Sequence, residues 1–185
     1  MIKKVLKETE NKMEKVLEAT KREFDKVRTG RARPSLVEGI RVDYYGTMTP
    51  LNQMAQISAP EPRLITIKPW DKSSIEPIQK ALMKSDLGLN PNSDGEVVRL
   101  NIPQLTEERR KELTKIVKKK AEEEKVAIRN IRRDANDELK ELENNGDISE
   151  DNMYRGMDNI QEITDEYIQN IDLLLEEKEE EIMEV

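Results

Sequence analysis

All eight prolines of this chain fall between Pro34 and Pro103, and none lies in residues 1–33 or 104–185. A proline inside a helix removes a backbone donor and clashes with the preceding turn. The distribution therefore divides 185 residues into two helix-permitting ends and a middle of another kind.

In the first end, Ile2, Leu6, Met13, Val16, Phe24 and Val27 recur at roughly helical spacing, and Thr29-Gly30 is a stop signal. In the second, Thr106 precedes Glu107 and Glu108 as a cap with acid in the first turn. Leu113, Val117, Ala121, Ile128, Ile131, Ala135 and Leu142 follow, until Asn145-Gly146 ends the helix. Ser149 caps a third, carrying Met153, Met157, Ile160, Ile163, Tyr167, Ile171, Leu174 and Ile182. The last two helices run roughly 50–60 Å each, and a tight turn between them makes them antiparallel. Each stripe is too narrow for a thick core, so residues 1–30 and 105–185 are expected to form one discontinuous three-helix bundle.

The middle, 31–104, alternates in short runs: Ile40 to Tyr45, Leu64 to Ile67, and Val97 to Ile102. Ser73 and Glu76 form a capping pair for a helix bearing Ile75, Ile78, Leu82 and Met83. This predicts a small α/β domain inserted into the bundle, making the chain α+β with two domains. Two connectors cross between them, and element-terminal Gly30, Pro34 and Pro103 are the expected hinge.

Composition closes off several chemistries. There is no cysteine and no histidine, which removes disulfides, thiolate nucleophiles, the commonest metal ligand and the commonest general base. No metal and no cofactor is expected. Asp71, Glu76, Asp86 and Asp94 are scattered through the middle with no pairing that suggests carboxylate catalysis. No apolar run is long enough to cross a membrane, and the first fifteen residues lack the apolar stretch of a secretory signal, so the cytoplasm is the expected location. The net charge of −7 is uneven: residues 1–30 carry +3, 31–105 and 106–143 carry +1 each, and 144–185 carry −12. Three quarters of the chain thus remain open to an RNA partner.

Several long segments are similar to the bacterial ribosome recycling factor family. They are RTGRARPSLVEGI at 28–40, VDYYGTMTPLNQMA at 42–55, ITIKPWDKS at 65–73, SDLGLNPNSDG at 85–95, LTEERRKEL at 105–113 and AIRNIRRDAND at 127–137. They occur in the family's order over nearly the whole chain; one departure is Arg33, where the pattern has a small polar residue. The resemblance implies an L-shaped monomer, with a three-helix arm and a small β/α/β arm on a flexible hinge. It further implies a protein that binds the post-termination ribosome through large-subunit RNA. Elongation factor G then hydrolyses GTP and the subunits part, with no covalent catalysis by the factor itself.

The second long helix bears on the RNA contact. With Arg129 at zero and about 100° per residue, Lys111 and Lys118 fall within about 20°. Lys115, Lys125 and Arg133 fall at about 40°, and Arg132 at about 60°. Leu113, Ala127, Ile131, Ala135 and Leu142 occupy roughly 160–240°, which puts the basic stripe opposite the apolar seam, in water. Arginine's planar fork suits phosphate. Together with the resemblance, this selects Arg110, Arg129 and Arg132 as principal rRNA contacts, Arg133 as support, and Arg28 and Arg31 as charge at the hinge. Trp70 and Tyr44-Tyr45 are candidate base-stacking platforms, but the core of a small domain is the preferred reading.

Overall fold

The computed structural model describes residues 1–184, which separate into two compact units, Met1–Arg28 with Glu107–Glu184, and Thr29–Thr106.

The first unit holds α1 (Ile2–Asp25), α3 (Glu107–Asn144) and α4 (Glu150–Met183). Buried positions on α1 are Val5, Thr9, Met13, Leu17, Thr20 and Phe24, every third or fourth residue, as one buried helical stripe requires. The threonines fit because their hydroxyls donate to their own helix: Thr9 to the Val5 carbonyl at 2.8 Å and Thr20 to that of Val16 at 2.8 Å. On α4, Thr164 likewise donates to Ile160 at 2.7 Å. This satisfies a polar group within a narrow apolar seam. Val5, Ala135, Leu139, Met153 and Ile160 form one core cluster from all three helices.

The turn between α3 and α4 follows the sequence. Gly146 takes φ +78°, and the Asp147 and Ile148 amides return to the Leu142 carbonyl at 2.9 and 3.3 Å, closing the end of α3. The Ser149 hydroxyl accepts from the Asn152 amide and starts α4. In contrast, α1 stops at Asp25, four residues short of Thr29, on a tight Val27-to-Phe24 bond of 3.0 Å.

The second unit contains six strands where the sequence announces three. β1 (Arg41–Tyr44) and β2 (Thr47–Pro50) form a hairpin, while β3 (Ala55–Glu61), β4 (Leu64–Pro69), β5 (Pro91–Ser93) and β6 (Val98–Asn101) form an antiparallel sheet in the order β3-β4-β6-β5. Tyr45 and Gly46, at φ 49° and 82°, make the hairpin turn, whose Gly46 amide donates to Asp43 Oδ1 at 2.9 Å. Ile65, Ile67, Val98 and Leu100 point into a core shared with Val42, Leu51, Ile78 and Leu82. Ile78 and Leu82 come from α2 (Ile75–Lys84). That helix is not capped by the expected Ser73–Glu76 pair. Asp71 instead accepts from the Ser73 amide and opens a single tight turn, Lys72–Ser74, that leads into α2.

Both connectors fasten to one turn of this unit. The Ala32 amide donates to the Pro62 carbonyl at 2.7 Å, and the Ile102 amide donates to the Arg63 carbonyl at 2.8 Å. Gly30 takes φ +75° against the returning segment, where a Cβ would stand 3.3 Å from Leu105 Cγ.

Candidate nucleic-acid interface

The basic stripe of α3 does not lie wholly opposite its buried face. Leu113, Val117, Ala121, Ile128, Ala135 and Leu139 are the buried positions, and on the same wheel they occupy about 200–280°. Because α3 packs against both α1 and α4, its buried arc reaches round to one side of the stripe. That side comprises Lys118, Lys125 and Arg132, which are seven residues apart and border the seam with α4.

There they meet a matching row. Lys118 pairs with Glu179 at 3.1 Å, and Lys125 pairs with Asp172. Arg132 donates to Gln161 Oε1 at 3.1 Å, and Gln161 donates in turn to Asp165 Oδ1 at 2.8 Å. Residues 165, 172 and 179 share the heptad spacing of 118, 125 and 132, run in the opposite direction, so an antiparallel ladder staples α3 to α4. The Lys125 side chain is only 12% exposed. The Asp172 carboxylate holds its pKa above the usual lysine value, against desolvation that would lower it.

The other side of the stripe carries Lys115, Arg129 and Arg133. Among the described residues these three make no ion pair or hydrogen bond, so their charge is available to a partner. Lys111 is taken by Glu107 at 2.7 Å.

The six predicted contacts therefore separate. Arg129, Arg132 and Arg133 lie within about 6 Å of rise on α3, with Arg133 exposed and the other two half-buried. Arg110 is half-buried about 28 Å away along the helix and about 100° round it, off the stripe. Arg28 and Arg31 are exposed, in the first and second unit respectively.

Trp70 and Tyr45 do not belong to the core of the small domain: they are 69% and 80% exposed. Strand alternation turns Ile65, Ile67 and Pro69 inward and so sets Trp70 outward. Tyr44 is half-buried, packs edge-on to Tyr45 at 4.6 Å and donates to Asp71 Oδ2 at 2.9 Å. No helix among the described residues is long and apolar enough to cross a membrane.

The chain is thus of the α+β class, a three-helix bundle interrupted by a small sheet domain, with Lys115, Arg129 and Arg133 along one edge of α3 and Glu122 among them. The family described as ribosome recycling factor matches residues 20–183. The ribosome-recycling factor of Halothermothrix orenii is 66% identical over the whole of both chains, and that of Bacillus subtilis is 56% identical over the same span. A solution structure of ribosome recycling factor aligns with TM-score 0.78 and 43% identity, covering 100% of this chain and 98% of that one. A second structure describes the T. thermophilus ribosome recycling factor and E. coli elongation factor G bound to the E. coli post-termination complex. It aligns with TM-score 0.67 and 47% identity over 99% of each chain. The chain belongs to the ribosome recycling factor family and is a translation factor.

Proposed function

We propose that this protein binds the post-termination ribosome on large-subunit RNA. With elongation factor G, and with GTP hydrolysis by that factor, it separates the subunits and frees the mRNA. It catalyses no covalent step, needs no cofactor, and works as a monomer in the cytoplasm. The observation that carries this reading is the full-length match to a protein placed on a post-termination complex beside elongation factor G.

Within that function, Arg129 and Arg133 are the primary phosphate ligands, because neither is committed to another group among the described residues. Arg132 contributes from the seam, where Gln161 orients it. Arg110 makes a separate contact near the start of α3, and Arg28 and Arg31 supply charge at the hinge. Gly30, Pro34 and Pro103 form that hinge. The fastening of Ala32 and Ile102 to the Pro62–Arg63 turn supports Gly30 and Pro103, which lie on the bundle side of those bonds, and leaves Pro34 on the sheet side.

Light scattering from post-termination ribosomes supplied with elongation factor G and GTP tests the reading. Addition of this protein should lower scattering as subunits separate, and Arg129→Ala with Arg133→Ala should need a higher concentration. No GTP-dependent change with the parent protein would overturn it.

A further inference from the structure

The only tryptophan of the chain stands on the outside of the small sheet. Lys68 and Trp70 face outward together, two residues apart, and Gln56 is paired directly across from Lys68 on β3. With Pro69, Lys72 and Glu96 they line an open cleft of about 500 Å³, within the range of small-ligand sites. The exposed indole offers a flat apolar face beside this cleft, on which a base can stack.

Charge identifies that partner. Lys72 donates to Glu96 at 2.8 Å, which compensates both. Lys68 makes no ion pair among the described residues, so the cleft keeps a positive charge next to the indole. An aromatic face with an adjacent cation suits one unpaired base and its phosphate, and the Gln56 amide can donate to or accept from a base edge. A peptide strand added to the sheet is disfavoured, because Pro60 lies within β3, the edge strand on this side, where it has no backbone donor.

We infer that the outer face of β3 and β4 is a single-stranded RNA site, stacking one base on Trp70 and holding its phosphate with Lys68. The site is independent of the cationic edge of α3 and lies in the other unit.

Because Trp70 is the sole indole, its emission reports this site alone. Short oligoadenylate titrated into the full-length protein at low salt should quench it saturably. Lys68→Ala, at an exposed position that should not disturb folding, should weaken the quench midpoint roughly tenfold or more, as loss of a charge-assisted contact requires. Lys80→Ala, exposed on α2 and outside the cleft, should leave the midpoint unchanged. Absence of quenching would overturn the inference, as it would if the face served a protein instead. So would equal quenching by inorganic polyphosphate or by a duplex of the same length, or a midpoint indifferent to Lys68→Ala.

Discussion

Gly156 of α4 lies against Leu139 of α3 so closely that a Cβ at position 156 would stand 2.8 Å from Leu139 Cδ1 and 3.5 Å from Ile2 Cγ2. Three helices meet at this point. A glycine there costs about 1 kcal/mol of helix propensity relative to alanine, and the close approach offsets it. Gly156→Ala should therefore lower stability despite improving the helix, by up to about 2 kcal/mol, since overpacking costs roughly 1–3 kcal/mol. In a Leu139→Ala background the same change should be neutral or stabilising, because the obstructing methyls are gone. Urea unfolding of the four proteins in the cycle decides it: a Gly156→Ala effect of the same sign in both backgrounds would show that this contact does not govern the site.

The α3 stripe should divide experimentally as it does structurally. Arg129→Ala and Arg133→Ala should change stability by no more than about 0.5 kcal/mol while weakening large-subunit binding. Each should also flatten its salt dependence by roughly one unit of slope if the site behaves like duplex nucleic acid. Lys125→Ala should lose up to about 1 kcal/mol, since it removes a ladder partner. The raised lysine pKa fixes the pH window. The ladder's contribution is complete below the ordinary lysine value of about 10.4 and is lost as pH rises through the higher folded value. Thermal melts and ribosome pelleting at graded salt separate the two classes, and early melting of the Arg129 variant would contradict the division.

Acid should act on the sheet unit through Asp94. Its carboxylate accepts from the Glu96 and Val97 amides at 3.0 Å each and from Arg99 at 2.8 Å, which hold its pKa well below the usual carboxylate range. A depressed pKa means that this stabilisation is present above the unfolded value of about 3.9 and is lost as pH falls through the folded one. Asp94→Asn should make the sheet unit less stable at neutral pH and reduce its further loss in acid. A melting temperature of the variant that parallels the parent's from pH 6 to pH 2 would remove Asp94 from the account.

The two units should unfold separately. Each contains its own core cluster, and Trp70 reports only on the sheet unit, while most helical signal comes from the other. Urea curves from tryptophan emission and from far-ultraviolet circular dichroism should not coincide. Residues 1–28 joined by a short linker to 107–184 should fold alone. Superimposable curves, or a molten joined bundle, would show that the units depend on each other.

The two-domain α+β architecture is legible in the sequence because proline placement is a local rule that tertiary contacts rarely overrule. Asn145-Gly146 and Ser149 were legible for the same reason, since each sets its own backbone geometry. The ladder is not legible in the sequence alone, although 118, 125, 132 and 165, 172, 179 share a heptad spacing. Its meaning depends on the antiparallel register of two helices, which no single helical wheel contains. The bulk of Trp70 predicts burial, whereas its strand parity after Ile65 and Ile67 turns it outward. β2 and β5 carry no strand signal in the sequence, because threonine, proline and asparagine at the margin of a sheet give no apolar alternation.

The interruption of the bundle also sets an order of assembly during synthesis. α1 leaves the ribosome before the sheet unit, yet its partners begin only after the whole of Thr29–Thr106 has been made. The sheet unit draws its contacts from a continuous stretch and can close while α3 and α4 are still being translated. Meanwhile α1, 24 residues with one apolar stripe, is only marginally helical without neighbours. α1 therefore emerges before the sheet unit but finds its place after it, and until α4 is complete the nascent chain carries an exposed amphipathic segment that a chaperone can hold.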